Sequence, residues 1–328
     1  MYAGTDSTRP TRRELIRSAG LAVAALAVRP TLAGAPPGQE PLQRQRVLRI
    51  AHLTDIHVQP ERKADQGLAA CLRHVQNLKD KPEILLTGGD TVMDSFATDE
   101  ARTRLQWELW QKVIKNECSL PVESCLGNHD VWGWNKKASR TDGSEPLWGK
   151  KWALEVFDVS RPYRSFNRAG WHFVILDSTF PEGDGYVARL DDEQFEWLAA
   201  DLAGVEAHTP MLVMSHMPIL APSAFLCGER EKSGDWVVPR SYMHIDARRI
   251  KDLFLKHPKV KVCLSGHLHL VDRAEYAGVT YYCNGAVSGA WWRGDHYECQ
   301  PGYAAIDLFD DGTSERRYVT YGWKTPEG

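Results

Sequence analysis

Residues 47–57 read VLRIAHLTDIH, an apolar run that ends in an aspartate and a histidine. The run from Val47 to Thr54 predicts a buried β-strand, because it is short, continuous and rich in branched apolar residues. Four more predicted strands end in the same kind of polar motif: Gly88-Gly89-Asp90, Gly127-Asn128-His129-Asp130, Ser215-His216 and Gly266-His267-Leu268-His269. Ligands of open α/β sheets bind beyond the carboxyl ends of strands, so these motifs predict one shared site.

The segments between the motifs alternate between helical and extended patterns. Apolar residues at helical spacing predict helices over residues 64–78, 105–114, 191–202 and 247–255. Short apolar runs predict strands over residues 47–54, 83–87, 122–126, 173–176, 211–214 and 260–264. The alternation favours an α/β fold in which helices cover buried sheets.

Predicted strands without helices follow the alternation at the C-terminal end, and two long segments interrupt it. Residues 273–276, 279–282, 303–308 and 316–321 have the pattern of strands in a meander. Residues 131–161 and 217–244 are rich in glycine, proline and aromatic residues, so we interpret them as long loops above the strand ends.

The residue types in the motifs indicate metal binding. Aspartate and asparagine offer oxygen ligands and neutral histidine offers nitrogen, a mixture that suits Mn, Fe or Zn. The glycines that precede Asp90, Asn128 and His267 allow sharp turns and convergence of side chains. In Asp55-x-His57, as in the last motif, both side chains would face one side only if the backbone were extended.

In this order, the motifs resemble those of the calcineurin-like metallophosphoesterase superfamily. The resemblance covers residues 47–269 and implies a four-layer α/β/β/α sandwich that holds two divalent metal ions, Mn, Fe or Zn. It implies that Asp90 bridges the two ions and that His129 protonates the leaving group. The implied ligands of the first ion are Asp55, His57, Asp90 and His269, and those of the second are Asp90, Asn128, His216 and His267.

The resemblance further implies a phosphoester hydrolase in which a hydroxide shared by the metals attacks phosphorus in line. We expect a small phosphodiester substrate. The alternatives are a phosphomonoesterase, a nucleotide or lipid pyrophosphatase, or a non-catalytic metal-binding module. Many relatives carry an aspartate three residues after the bridging one, where this chain has Met93 followed by Asp94. Asp130 could either orient His129 or cap a turn.

Charge and the N-terminal residues bear on partners and location. The chain has 40 Lys+Arg and 43 Asp+Glu in 328 residues, so no broad nucleic-acid surface is expected. Residues 1–35 combine paired arginines, a short apolar run and an Ala-x-Ala end, which resembles a twin-arginine signal peptide. Residues 36–46 would be a linker and residues 47–328 the phosphoesterase domain. We therefore expect export to the periplasm by the twin-arginine machinery and no membrane span in the mature chain.

Aromatic and sulfur-containing residues complete the expectations. The chain has 12 tryptophans, several of them in the long loops or the 284–293 segment, and we expect at least one to line the pocket. His52 lies inside the first predicted strand and His296 lacks motif context, so both are expected to be structural or surface residues. Cys71, Cys125 and Cys263 are predicted to pack as small hydrophobic residues, whereas Cys118, Cys227, Cys283 and Cys299 could form disulfides.

Overall fold

The computed structural model describes residues 44–227, 231–232 and 234–324. The predicted signal peptide and residues 36–43 of the predicted linker lie outside these ranges. Within them, none of the helices has the length and apolar character needed to cross a bilayer. The first strand begins at Arg46, one residue before the predicted start of the domain.

Fifteen strands and six α-helices make up the described chain. In chain order the strands are β1 Arg46–Leu53, β2 Ile84–Thr87, β3 Val122–Ser124, β4 Arg164–Arg168, β5 Trp171–Ile175, β6 Thr179–Glu182, β7 Gly185–Ala188, β8 Met211–Met214, β9 Glu231–Lys232, β10 Asp235–Trp236, β11 Val260–Ser265, β12 Asp272–Tyr276, β13 Val279–Cys283, β14 Gly302–Phe309 and β15 Ser314–Thr320. The helices are α1 Ala64–Gln76, α2 Glu100–Glu117, α3 Lys136–Ser139, α4 Lys151–Phe157, α5 Asp192–Gly204 and α6 Ala247–Lys256.

Two mixed sheets form the centre of the molecule. The first has the order β15-β14-β1-β2-β3 and the second has the order β12-β13-β11-β8-β5-β4. Parallel strands carry the ligand motifs in both, with β1, β2 and β3 in the first sheet and β8 and β11 in the second. The C-terminal strands are not one meander as predicted. They form two antiparallel hairpins that extend different sheets, β12–β13 in the second and β14–β15 in the first.

The buried residues show how the layers are arranged. Alternate residues of β1 face opposite sides, so Ile50 packs into the interior between the sheets while Ala51 and Leu53 face α1 and α2. On the other side, residues of β5, β8 and β11 pack against α5 and α6. Helices therefore cover the outer face of each sheet, which confirms the predicted α/β/β/α sandwich.

Several elements were not predicted from the sequence. Strand β4 pairs with β5 at the edge of the second sheet, although four of its five residues are only half-buried and the other is exposed. The two-stranded β6–β7 hairpin stands apart from both sheets. The first long loop contains the short helices α3 and α4, and a single 3-10 turn covers Asn128–Asp130.

Candidate metal centre and active site

The loops that follow β1 and β2 are hydrogen-bonded to each other along their backbones. The N–H of Asp55 donates to the carbonyl of Gly89 at 3.0 Å, and the N–H of His57 donates to the carbonyl of Asp90 at 2.9 Å. The loop after β3 joins them, because the backbone N–H of His129 donates to Asp90 Oδ1 at 2.8 Å. These bonds fix three strand ends as one rigid platform.

Most of the predicted metal ligands have a left-handed backbone conformation. The φ angles of Asp55, His57, Asp90, His267 and His269 lie between 50° and 71°. The Asp-x-His and His-x-His pairs therefore do not have the extended backbone that would place both side chains of a pair on one side. Such strained conformations in non-glycine residues persist where surrounding contacts over-determine them, as at functional sites.

The first group of converging side chains consists of Asp55, His57 and His269. The Nε2 atoms of the two histidines are 3.1 Å apart, and His269 Nε2 is 3.4 Å from Asp55 Oδ1. All three residues are buried, with relative exposures of 0%, 0% and 2%. The three ligand atoms lie within 4.8 Å of one another, which is compatible with their binding one metal ion.

The second group consists of Asp90, Asn128, His216 and His267. His216 Nε2 lies 3.2 Å from Asp90 Oδ2, from Asn128 Oδ1 and from His267 Nδ1. Asp90 Oδ2 is also 3.8 Å from His57 Nε2 in the first group. The free oxygen of Asp90 thus faces both groups, as expected for the predicted bridging ligand.

The hydrogen bonds of the histidines leave nitrogen lone pairs directed into the site. His216 Nδ1 donates to the carbonyl of Gly88 at 2.8 Å, His269 Nδ1 to that of Gly289 at 2.6 Å, and His267 Nε2 to that of Ser241 at 2.8 Å. Because a carbonyl can only accept, each opposite ring nitrogen is unprotonated in the neutral ring and available as a ligand. The donor set therefore fits divalent metal ions that accept nitrogen and oxygen.

Burial and charge set the electrostatics of the groups. Burial alone would lower the pKa of His216, but the adjacent Asp90 carboxylate outweighs it and raises this pKa to about 9. Burial also works against ionisation of Asp90, yet His216 and His129 hold its pKa well below the ordinary value. Burial lowers the pKa of His267 to about 4. The buried negative charge of Asp90 that attracts a proton to His216 would equally attract a metal cation.

Two glycines of the motifs allow neighbouring loops to approach each other closely, because a glycine has no Cβ atom. A Cβ atom at Gly127 would lie 2.2 Å from the backbone nitrogen of Asp90. A Cβ atom at Gly266 would lie 2.0 Å from Thr54 Oγ1 and 2.3 Å from Asp55 Oδ2. These contacts are closer than real Cβ atoms permit. The absent side chain at Gly127 therefore lets the loops after β2 and β3 approach, and that at Gly266 lets the loops after β1 and β11 approach across the two sheets.

His129, predicted to be the leaving-group acid, lies close to both groups, and its ring nitrogen lies within 4.8 Å of ligand atoms of His57 and Asp90. Its Nε2 is 4.0 Å from Asp90 Oδ2, and its Nδ1 is 3.9 Å from Asp94 Oδ1. Asp94 thus faces His129, although it lies one residue after the position, here Met93, at which many relatives carry an aspartate. Asp130 caps the turn instead: its carboxylate accepts from the backbone N–H groups of Thr91, Val92 and Gly127 at 2.8, 3.2 and 2.9 Å.

A cavity of about 370 Å³ opens directly above both groups. Its walls combine the predicted ligands with aromatic side chains, and the residues that line it beyond the predicted set are Tyr186, Cys227, Tyr242, Leu268, Trp291, His296 and Tyr297. Trp291 confirms the expectation of a pocket-lining tryptophan. His296 also lines the cavity, and its ring lies 5.3 Å from that of His269. Tyr186 was missed because the β6–β7 hairpin that carries it has no strong apolar alternation.

Other expectations concern residues away from the cavity. His52 is buried and its Nδ1 accepts from Asn284 Nδ2 at 2.8 Å, consistent with a structural role. Trp132 and Trp152 are buried and pack edge to face at 5.0 Å, so these tryptophans attach the first loop to the scaffold. Cys71, Cys125 and Cys263 are buried as predicted, and Cys283 is also buried without a disulfide.

Comparison with known proteins places this site in a family. The calcineurin-like phosphoesterase family model matches residues 48–271. A 3',5'-cyclic-nucleotide phosphodiesterase of Nostoc sp. is 25% identical over 80% of this chain and 89% of its own length. Purple acid phosphatase 22 of Arabidopsis thaliana is 26% identical over 62% of this chain but only 42% of its own length.

A solved structure shares the fold. A dimetal phosphatase from Danio rerio superposes with a TM-score of 0.51 at 15% identity, covering 85% of this chain and all of that one. The family match spans every predicted metal ligand, from Asp55 to His269. Together with the converging Asp, Asn and His side chains, it shows that the chain belongs to the calcineurin-like phosphoesterase family and is a phosphoester hydrolase.

Proposed function

We propose that the protein is a dinuclear-metal-dependent phosphodiesterase. The observation that carries this proposal is the composition of the cavity, which has aromatic walls and, among the described residues, no lysine or arginine. A phosphomonoester is close to doubly negative at neutral pH, because its second pKa is about 6, whereas a diester carries one charge. In this pocket only the metal ions would neutralise the charge of the phosphate group, and aromatic side chains surround them. Such a pocket suits a diester, which has a single charge and is more apolar.

The similarity to the cyclic-nucleotide phosphodiesterase of Nostoc sp. supports the same choice, because it extends over most of both chains. We propose that Asp55, His57, Asp90 and His269 hold one ion and that Asn128, His216 and His267, with Asp90 as bridge, hold the other. Divalent ions bound there would supply a hydroxide nucleophile near neutral pH and neutralise charge on the phosphoryl oxygens.

His129 would then act on the leaving group. Its imidazole is 29% exposed, lines the cavity and lies beside the bridging aspartate, so it can reach an ester oxygen of a bound substrate. We propose that it donates a proton to the departing alkoxide, a contribution of roughly 10²–10⁴-fold. Asp94 lies on the opposite side of the ring, where its carboxylate can hold the imidazole in orientation.

Hydrolysis of bis(p-nitrophenyl) phosphate and p-nitrophenyl phosphate, each with Mn²⁺, Fe²⁺ or Zn²⁺ and after chelation, tests the proposal. We expect metal-dependent hydrolysis with kcat/KM at least tenfold higher for the diester. His129→Ala should lower kcat about 10²–10⁴-fold with metal content unchanged. His208→Ala, an exposed histidine elsewhere on the surface, is the matched control and should leave kcat unchanged.

The rival functions give different results. A preference for the monoester would favour a phosphomonoesterase, and cleavage of dinucleotide or lipid pyrophosphates without diester cleavage would favour a pyrophosphatase. Stoichiometric metal binding with no hydrolysis of any of these compounds would favour a metal-binding module. An unchanged rate in His129→Ala would remove the leaving-group role.

We also propose that residues 1–35 direct export to the periplasm through the twin-arginine machinery. The paired Arg12 and Arg13 before a short apolar run support this proposal. Conservative replacement of both by lysine should retain the full-length precursor in the cytoplasm, while the unaltered chain is recovered from the periplasm with a shortened N-terminus. Periplasmic recovery of the doubly substituted chain would contradict the proposal.

A further inference from the structure

The segment after β13 places two adjacent tryptophans beside the first ligand group in different roles. Trp292 is fully buried, and its Nε1 donates to the backbone carbonyl of His57 at 2.9 Å. Trp291 is half-buried and its ring lies 4.5 Å from that of His269 and 5.9 Å from that of His57. One ring therefore fixes the segment and the other forms a wall of the cavity.

The backbone of this segment is strained in order to hold that arrangement. Trp291 and Trp292 both have positive φ angles, 53° and 67°, which bulky residues rarely adopt. The N–H of Trp292 donates to the carbonyl of Ser288 at 2.8 Å, and the N–H of Ala290 donates to that of Gly294 at 2.9 Å. Strain maintained by such bonds is typical of ligand clamps, and burial of Trp292 alone does not require a tryptophan at the preceding position.

The opposite part of the cavity has its own aromatic wall. The rings of Tyr186 and Tyr242 lie 6.2 Å and 6.1 Å from that of His267, which belongs to the second ligand group. Both contact it edge on, whereas the plane of Trp291 is tilted only 37° from that of His269. The tryptophan is thus the large ring of the cavity that lies most nearly parallel to a ligand histidine.

We infer that Trp291 is a specificity-determining residue, a stacking platform for a planar aromatic group on the phosphodiester. This inference rests on the proposed phosphodiesterase function and narrows its substrates to esters with an aryl or nucleobase group. Flat aromatic groups gain from stacking on an indole face, while saturated groups of the same size gain only from apolar contact. Trp291 therefore selects for planarity in addition to apolar character.

Isothermal titration calorimetry on the Mn²⁺-loaded full chain tests this with two ligands of similar bulk, diphenyl phosphate and dicyclohexyl phosphate. Trp291→Leu should raise the Kd of diphenyl phosphate about ten- to thirtyfold and that of dicyclohexyl phosphate less than threefold. Trp291→Phe should retain diphenyl phosphate binding within about threefold. Trp197→Leu, on α5 away from the cavity, is the matched control and should change neither Kd.

Far-ultraviolet circular dichroism and metal content must match the wild type in each variant. If Trp291→Leu fails to fold, the two Kd values of the wild type decide, because the platform requires tighter binding of diphenyl phosphate than of dicyclohexyl phosphate. Equal weakening of both ligands, no weakening of either, or no binding of diphenyl phosphate to the wild type would overturn the inference. If calorimetry shows the aryl preference but no diester is hydrolysed, the proposed function fails and the platform stands. If diesters are hydrolysed and Trp291→Leu leaves the ratio of the two Kd values unchanged, only the platform fails.

Discussion

Lys150 connects the first long loop to the hairpin that carries Tyr186, and its replacement offers a quantitative test of that connection. Its ammonium donates to Asp177 Oδ2 and, at 2.6 Å, to the carbonyl of Thr179. It also lies 4.3 Å from the centre of the Phe180 ring. The side chain of Asp177 is only 3% exposed and that of Lys150 16%, so this is a largely desolvated ion pair at the base of β6.

Removal of one partner from a buried ion pair costs about 3–5 kcal/mol, because the other charge stays desolvated. Since Lys150 retains some solvent contact, we expect Lys150→Met to lower the free energy of unfolding by about 2–4 kcal/mol. Asp177→Asn should cost a similar amount. The double variant should cost about 1.5–3 kcal/mol less than the sum of the two single changes, because neither charge is then left alone.

Urea denaturation measures these differences, provided that the slope m stays the same among the variants. Lys151→Met is the matched control, because Lys151 is the exposed neighbour in α4, and its cost should stay within about 0.5 kcal/mol. The kcat/KM for bis(p-nitrophenyl) phosphate should fall in Lys150→Met, since the hairpin that positions Tyr186 loses its anchor. A coupling energy below about 0.5 kcal/mol would refute the view that this ion pair holds the hairpin.

Three shorter predictions follow from other contacts. Asp94→Asn should lower kcat about tenfold at unchanged metal content, because His129 loses an orienting charge. Steady-state kinetics and metal analysis measure this, and an unchanged kcat would contradict the prediction. Gly266→Ala should prevent metal binding or folding, since its Cβ atom would overlap Thr54 and Asp55, and a stable, metal-loaded Gly266→Ala protein would disprove the close approach. Burial alone would raise the pKa of Asp246, but the hydrogen bond from His244 outweighs burial, and the net effect is a lowered pKa. The stabilisation that ionised Asp246 contributes to the fold should therefore be present above the ordinary pKa of about 3.9 and be lost as the pH falls below it. Unfolding measured at pH 6 and below pH 3.9 should therefore show a smaller acid loss in Asp246→Asn, and an equal loss in both proteins would contradict the assignment.

The sequence predicts the scaffold well because the buried strands that carry the site are short apolar runs followed by a polar motif. Strands β8 and β11 begin where predicted. Helix α2 extends beyond the predicted segment at both ends, and its earlier start is set by Asp99, which caps its N-terminus. The pairing of the C-terminal strands could not be read in the same way. Hairpins β12–β13 and β14–β15 have similar local patterns, and only packing against neighbouring strands assigns them to different sheets.

The site itself was predicted more completely in residue identity than in geometry. The metal-ligand motifs are recognisable because Asp, Asn and His recur at the ends of predicted strands. The left-handed backbone conformation of Asp55 or His269 cannot be predicted from residue identity. The cavity walls were harder still. Tyr186 and His296 reach the cavity through tertiary contacts of loops, and neither stands in a motif that carries metal chemistry.

The predicted ligands come from both halves of the sandwich. Asp55 and Asp90 follow strands of one sheet, whereas His216 and His269 follow strands of the other. Because His57 and His269 are 212 residues apart, no partly folded chain with a single sheet could bring the complete donor set together. Metal uptake would thus report on whether the two sheets have docked, and bound ions would stabilise that docked state by mass action. A mutation between the sheets that disturbs their packing should therefore weaken metal retention even though every ligand residue is unchanged.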